Sequence, residues 1–288
     1  MRDVTAVLPW KRPLPHDDFE SDAATLLDGL RVDVANREGK PHGDDFKNRE
    51  LWTSSWQRKK QARGLHKTAL VGPEPWLSKC AWCEQLRPPK REIDVEHNRP
   101  KAWVTEWEGT PPIVSDTPPR EIDVGPGYWW LAFAWTNYSL ACKSCNQEWK
   151  RNLFPVAAPR PACVEGVELV EKPLLLDPGS AFRTRDHFRW TLDGIVEPTS
   201  DEGYATIVTC GLNRKDLTVR RGKVALQTSK ALDRFIQALR TGDSAGQRDA
   251  FKKLAELGSR SEEFTSMVRW LVEECLSCSW DDLDGMPP

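Results

Sequence analysis

The chain is short of net charge. Its 41 Lys and Arg face 43 Asp and Glu, a formal charge of -2 over 288 residues. That balance excludes a uniformly basic protein that coats nucleic acid, while leaving room for a local basic face. Long apolar runs are missing too. Nothing approaches the roughly 20 residues of a membrane-spanning helix. Residues 1–10 are too short and interrupted for the apolar core of a secretion signal. A cytosolic chain with no membrane partner is expected. There is no internal repeat and no long low-complexity tract, which sets aside repeat architectures.

What is present is unevenly placed. Residues 47–67 hold seven Lys or Arg against one Glu, and residues 261–288 hold seven Asp or Glu against Arg269 alone. Fourteen tryptophans read as core and edge packing. In a reducing compartment the eight cysteines read as thiols and metal ligands rather than as a disulfide framework.

Residues 1–20 read as an irregular arm with Pro9, Pro13 and Pro15. A short helix is expected over 21–30, with Ser21 as cap and Ala23, Leu26, Leu27 and Leu30 inward. Residues 46–67 read as a basic amphipathic helix, with Leu51, Trp52 and Trp56 as its apolar stripe. Its Arg58, Lys59, Lys60 and Arg63 form either a phosphate-contacting face or an ordinary solvated one. Ile93 and Val95 alternate with Asp94 and Glu96, a short strand ending at His97 and stopped by Pro100.

Residues 102–127 are rich in Pro and Gly and read as a long loop. Tyr128 to Trp135 is aromatic and packs the module onto the rest of the chain. A helix is expected from near Cys142 to Asn152. Later come a buried strand over 172–178, a hairpin on Asp193-Gly194, a strand over 205–209, and helices near 214–240, 244–257 and 261–276. The fold class is α+β. The expected division is an irregular arm with a short helix (1–42), a zinc-bracketed module preceded by the basic helix (43–160), and a C-terminal α/β then helical region (161–288) that shields the module or docks a partner.

Cys80-x-x-Cys83 and Cys142-x-x-Cys145 form two matching knuckles. Four thiolates at this spacing read as a tetrahedral zinc site with no open position, hence structural. Cys275 and Cys278 lack a matching pair and read as packing residues.

The knuckles bracket groups suited to phosphodiester hydrolysis. That reaction needs a base to activate water and a divalent cation to neutralise developing charge. His97 is the base candidate, with an intrinsic pKa near neutrality; the alternative is a histidine satisfied in a core. Glu96 offers a hard carboxylate oxygen for Mg²⁺ or Mn²⁺. Asn146 offers an amide oxygen, or is simply a helix-start amide. Lys150, four residues on, lies where it could touch phosphate. Asn137 also fits a turn amide.

The pattern Cys-x-x-Cys, Glu96-His97, Asn137, Cys-x-x-Cys-Asn146-x-x-x-Lys150 resembles the HNH (ββα-metal) endonucleases. The resemblance implies two strands and a helix around one divalent metal, with a small β-hairpin region and a helical part following in this chain. It implies His97 as general base, Glu96 and Asn146 as metal ligands, and Asn137 as the residue that orients the base. Asn146 stands where the family usually has His, making this an HNN variant. Val95 to Lys101, the Trp130-Leu131-Ala132 region, Phe154-Pro155, Leu175 to Pro178 and Gly211 to Arg214 are similar to the HNH subunits of Septu-type and retron-linked phage-defence systems. That likeness, over residues 45–225, implies a DNA (or RNA) substrate and an ABC-like ATPase partner. Two other readings stand beside it: a zinc-stabilised nucleic-acid-binding module without hydrolysis, and an adaptor.

Overall fold

The computed structural model describes residues 14–15, 17–46, 79–87 and 92–280. The basic stretch with Arg58, Lys59, Lys60 and Arg63 lies outside them. The described residues mix helices with three separate two-stranded antiparallel sheets.

Helix α1 spans Phe19–Ala35 and buries Phe19, Ala23, Leu26, Leu30 and Val34 along one stripe. It starts before the expected Ser21 cap, whose Oγ donates to Asp18 O at 3.0 Å from within the first turn. Phe19 packs edge-on to Trp135 and Tyr138, with centroids 4.8 and 6.1 Å apart.

Strand β1 (Ile93–His97) falls where the alternation placed it. Strands β2 (Trp103–Trp107) and β3 (Glu121–Pro126) pair with each other. They replace the long loop expected over 102–127. Trp103-Val104-Thr105-Glu106-Trp107 supplies one strand, with a register shift between Val104 and Thr105. Pro111, Pro112, Pro118 and Pro119 fall in the connection, where they interrupt no ladder. Strand β4 (Tyr138–Cys142) is buried throughout and runs antiparallel to β1. The register sets Ile93 opposite Cys142 and His97 opposite Tyr138. A π-helical segment, Ser144–Lys150, follows at once.

In the second half, the strand expected over 172–178 is reduced to one bridge between Val156 and Pro173. The hairpin forms as β5 (Phe188–Trp190) and β6 (Val196–Pro198). Its turn needs Gly194: φ is +86°, and a Cβ there would lie 2.3 Å from Thr218 O. Residues 205–209 are helical rather than extended. They belong to α2 (Asp201–Cys210), capped by Ser200, whose Oγ accepts from Gly203 N at 3.0 Å. Ala205 to Cys210 are all buried, so no periodicity separated helix from strand.

Helices α3 (Lys215–Thr241), α4 (Ser244–Leu257) and α5 (Thr265–Leu276) complete the fold close to their expected bounds. On α3, Leu217 and Leu232 are buried, whereas Leu226 and Leu239 are exposed. The last helix and the turn before it grip the first cysteine pair. Lys79 Nζ donates to Thr265 Oγ1 at 2.9 Å, Leu86 N to Glu263 at 2.9 Å, and Ser266 N to Glu84 at 3.0 Å. Among the described residues no helix is long and apolar enough to cross a membrane.

Candidate functional site

The two cysteine pairs meet. Cys80, Cys83, Cys142 and Cys145 are buried, and their sulfurs all lie within 4.8 Å of one another. Cys83 Sγ and Cys142 Sγ are 3.8 Å apart, too far for a disulfide. That distance matches the edge of a ZnS₄ tetrahedron, about 3.8 Å for Zn–S bonds of about 2.3 Å. The donor set and its spacing therefore fit a structural zinc. Among the described residues this is the one cluster of His, Cys, Asp and Glu arranged for a metal. The first knuckle is a tight turn, with Glu84 N donating to Cys80 O at 2.9 Å, Cys80 N to Gln85 O at 3.0 Å, and Glu84 at φ 60°. Ala81 N donates to Leu140 O at 2.7 Å and fastens this turn to β4. Cys142 ends β4 and Cys145 opens the π-helical segment, so the centre joins three pieces of chain.

The opposite end of the β1–β4 ribbon carries His97, roughly 13 Å away at about 3.3 Å per residue. His97 is partly buried against Tyr138, ring centroids 5.1 Å apart. Its Nε2 lies 3.0 Å from Ala132 O. A carbonyl oxygen only accepts, so Nε2 carries the proton and Nδ1 the lone pair. Burial, aided by the charge of Lys101, pushes the imidazole pKa well below 6.5. His97 is thus neutral at pH 7, the form a general base requires.

Asn137 braces the turn after His97. Its Oδ1 accepts from Arg99 N at 2.8 Å, and its Nδ2 donates to Arg99 O at 3.0 Å and Leu131 O at 3.1 Å. Asn98 N donates to Asn137 O at 2.8 Å. The one side chain closes both backbone groups of Arg99 and links that turn to the segment supplying Ala132. Arg99 itself pairs with Glu171 at 2.7 Å, which also accepts from Tyr128 Oη at 2.6 Å.

Glu96 and His97 are neighbours in sequence, yet strand alternation sends them to opposite faces. Glu96 faces the π-helical segment with Asp94. Lys150 Nζ lies 2.5 Å from Glu96 Oε1 and 2.9 Å from the His97 carbonyl oxygen. Both side chains are buried, Lys150 fully. Burial raises the Glu96 pKa, and the Lys150 charge opposes the rise. Lys150, read from the sequence as a group that could touch phosphate, is here an internal counter-charge. Asn146 Nδ2 donates to Asp94 Oδ2 at 3.2 Å, and Gln147 Nε2 reaches the same oxygen at 2.7 Å. As placed, an ammonium holds the Glu96 oxygen, while Asn146 is anchored to Asp94 by its Nδ2 and not by the amide oxygen that would ligate a cation. The wide turn of this segment, with Arg151 N donating to Asn146 O at 2.7 Å, sets Asn146 and Lys150 over the strand.

Three further groups at the site were given no role by the sequence. Asp94 shares the Glu96 face, which the i, i+2 alternation signals. Arg214 and Arg221 come from the C-terminal half, and no local pattern ties them to the cysteines. Arg214 Nη1 lies 3.5 Å from Cys145 Sγ. Cys275 is exposed and Cys278 partly so, so Cys275 is not the packing residue expected. His187 Nδ1 meets Ser200 Oγ, the α2 cap, at 2.7 Å, a structural arrangement.

The chain is similar to Septu protein PtuB from Bacillus mycoides (strain KBAB4), at 33% identity over 150 residues, 51% of this chain and 47% of that protein. The chain therefore matches about half the length of this curated relative. No protein-family profile matches the chain, and no solved structure matches it.

Proposed function

We propose that this protein is the nuclease effector of a Septu-type anti-phage defence system, an HNH endonuclease hydrolysing phosphodiester bonds of DNA. The likeness to PtuB supports the defence role. The observation that carries the chemical reading is the brace of Asn137 on the turn behind His97, at one end of a two-strand ribbon whose other end is the four-sulfur cluster. A neutral imidazole, held by Nε2 with Nδ1 as the basic nitrogen, suits removal of a proton from water. Strands β1 and β4 and the helical Ser144–Lys150 segment support this reading, since two strands and a helical piece meet at the site.

The same reading includes Mg²⁺ or Mn²⁺ at Glu96 and Asn146. Lys150 holds the Glu96 oxygen in the present arrangement, so cation binding there requires Lys150 to yield. The reading also includes an ATPase partner in a defence complex, and Arg58, Lys59, Lys60 and Arg63 as contacts to nucleic acid.

A second reading draws on one observation. Because Glu96 is already neutralised by Lys150, the module also fits a zinc-stabilised nucleic-acid-binding or adaptor subunit that does not hydrolyse.

Plasmid, single-stranded DNA and RNA incubated with the full chain, alone and with any ABC-like ATPase that co-purifies with it, separate these readings. Cleavage that needs Mg²⁺ or Mn²⁺ and is lost in His97→Ala is the expected result. No cleavage under any condition, or equal cleavage by His97→Ala, overturns the nuclease reading.

A further inference from the structure

Two arginines on one face of one helix are buried beside the four sulfurs. Arg214 is the N-cap of α3 and Arg221 lies two turns on, a spacing that keeps both on the same side. Each is 5% exposed. Arg214 Nη1 points to Cys145 Sγ at 3.5 Å and to the carbonyl oxygens of Gly211 and Cys210 at 3.1 and 3.4 Å. Arg221 borders a cavity of about 40 Å³ that Trp82, Cys83 and Glu84 also line. Its Nε and Nη2 have no hydrogen-bond partner among the described residues, and neither has Arg214 Nη2.

Buried guanidinium groups are costly unless an opposite charge lies close. The carboxylates at hand do not match these two. Glu84 is buried, and its one charge is shared between the Lys79 ammonium and Arg221. Asp216 lies 3.1 Å from Arg214 Nε, with its own side chain 57% exposed. The groups that both arginines feel are the sulfurs of Cys83 and Cys145. Four neutral thiols would leave two cations unmatched in the interior. Four thiolates around one Zn²⁺ carry two net negative charges, equal to the two guanidiniums.

We propose that Arg214 and Arg221 are the counter-charges of a zinc tetrathiolate, so that the metal centre is completed electrostatically by α3 and docks that helix on the β1–β4 ribbon. Arg214 acts by an N–H···S hydrogen bond to Cys145. Arg221 acts across the cavity by charge. The inference rests on zinc occupying the four cysteines. It does not depend on whether the chain cuts nucleic acid.

The test uses the full chain purified with zinc. Metal content is measured, then zinc is titrated away with a chromophoric chelator at several pH values. Outer partners of metal ligands typically account for about 10- to 100-fold in affinity. Arg214→Met and Arg221→Met are expected to weaken zinc by that factor and to move its half-release to higher pH, because protons compete better for thiolates that have lost a neighbouring cation. Arg214→Lys and Arg221→Lys, which keep the charge, are expected to retain most of the affinity. Without zinc, the Met variants should melt no lower than the wild type, since the thiols are then neutral and the arginines unmatched. Lys variants that lose zinc as fully as the Met variants would show that packing, not charge, is at work, and would overturn the proposal. So would Met variants that release zinc on the wild-type curve. A wild-type chain that binds no zinc overturns both this inference and the zinc site beneath it.

Discussion

Lys150 and Glu96 form an ion pair in the interior, Nζ to Oε1 at 2.5 Å, with Lys150 wholly inaccessible to solvent. The π-helical segment ends on this contact, and β1 is held to it through the His97 carbonyl oxygen as well. Removing one partner leaves an uncompensated buried charge, which costs about 3–5 kcal/mol. Lys150→Met should lower the unfolding free energy measured in urea by that order. Glu96→Gln with Lys150→Met should recover much of the loss. A single variant as stable as the wild type would show that the pair is dispensable.

Asn137 serves three backbone groups at once, so its removal leaves buried donors and acceptors unmade. Asn137→Ala is expected to cost about 1–3 kcal/mol by denaturant unfolding. If His97 is the base, cleavage should fall further than stability predicts, because the turn carrying His97 loses its brace. Equal activity per folded molecule would detach Asn137 from the chemistry.

The buried imidazole of His97 gives a pH dependence of definite sign. Its folded pKa lies well below 6.5, so between that value and 6.5 the unfolded chain binds more protons. Stability contributed by the neutral ring is present above pH 6.5 and is lost as pH falls through the folded value. Unfolding free energies measured from pH 7.5 downward should decline below about 6.5 in the wild type, and less steeply in His97→Gln. Identical slopes would refute the assignment.

Gly211 ends α2 at φ +58°, and a Cβ there would come within 2.0 Å of the Trp149 ring. Left-handed backbone and overpacking together predict a loss of about 2–4 kcal/mol for Gly211→Ala. The near-ultraviolet dichroism should change with it as Trp149 is displaced. An unchanged melting curve would show that the ring moves aside freely.

Local patterns made the parts of the site legible, while their facing did not follow from them. The alternation around Ile93 and Val95 marked β1, and the paired Cys-x-x-Cys spacing marked the sulfur cluster. Both signals are confined to a few residues. Strand alternation also sets Glu96 and His97 back to back, a consequence easily lost when a motif is read as a string. Lys150 looked like a surface cation because its partner lies 54 residues upstream in sequence. The β2–β3 hairpin was hidden by prolines, four of which sit in its connection and one, Pro126, at the end of β3. Residues 205–209 read as a strand because every side chain there is buried, and the Ser200 cap was the overlooked cue. Arg214 and Arg221 meet the cysteines only through tertiary packing, which no window along the chain reports.

The hydrogen bond from Lys79 to Thr265 joins residues 186 apart. A ribosome adding roughly 5–20 residues each second delivers the first knuckle some 10–40 seconds before the residues that will clasp it. Until Cys142 and Cys145 emerge to complete the cluster, about 60 residues after the first knuckle, Cys80 and Cys83 are open thiols on an unfinished chain, exposed to oxidants and to competing metals. The timing of translation thus bears on whether a nascent chain matures with the intended ion.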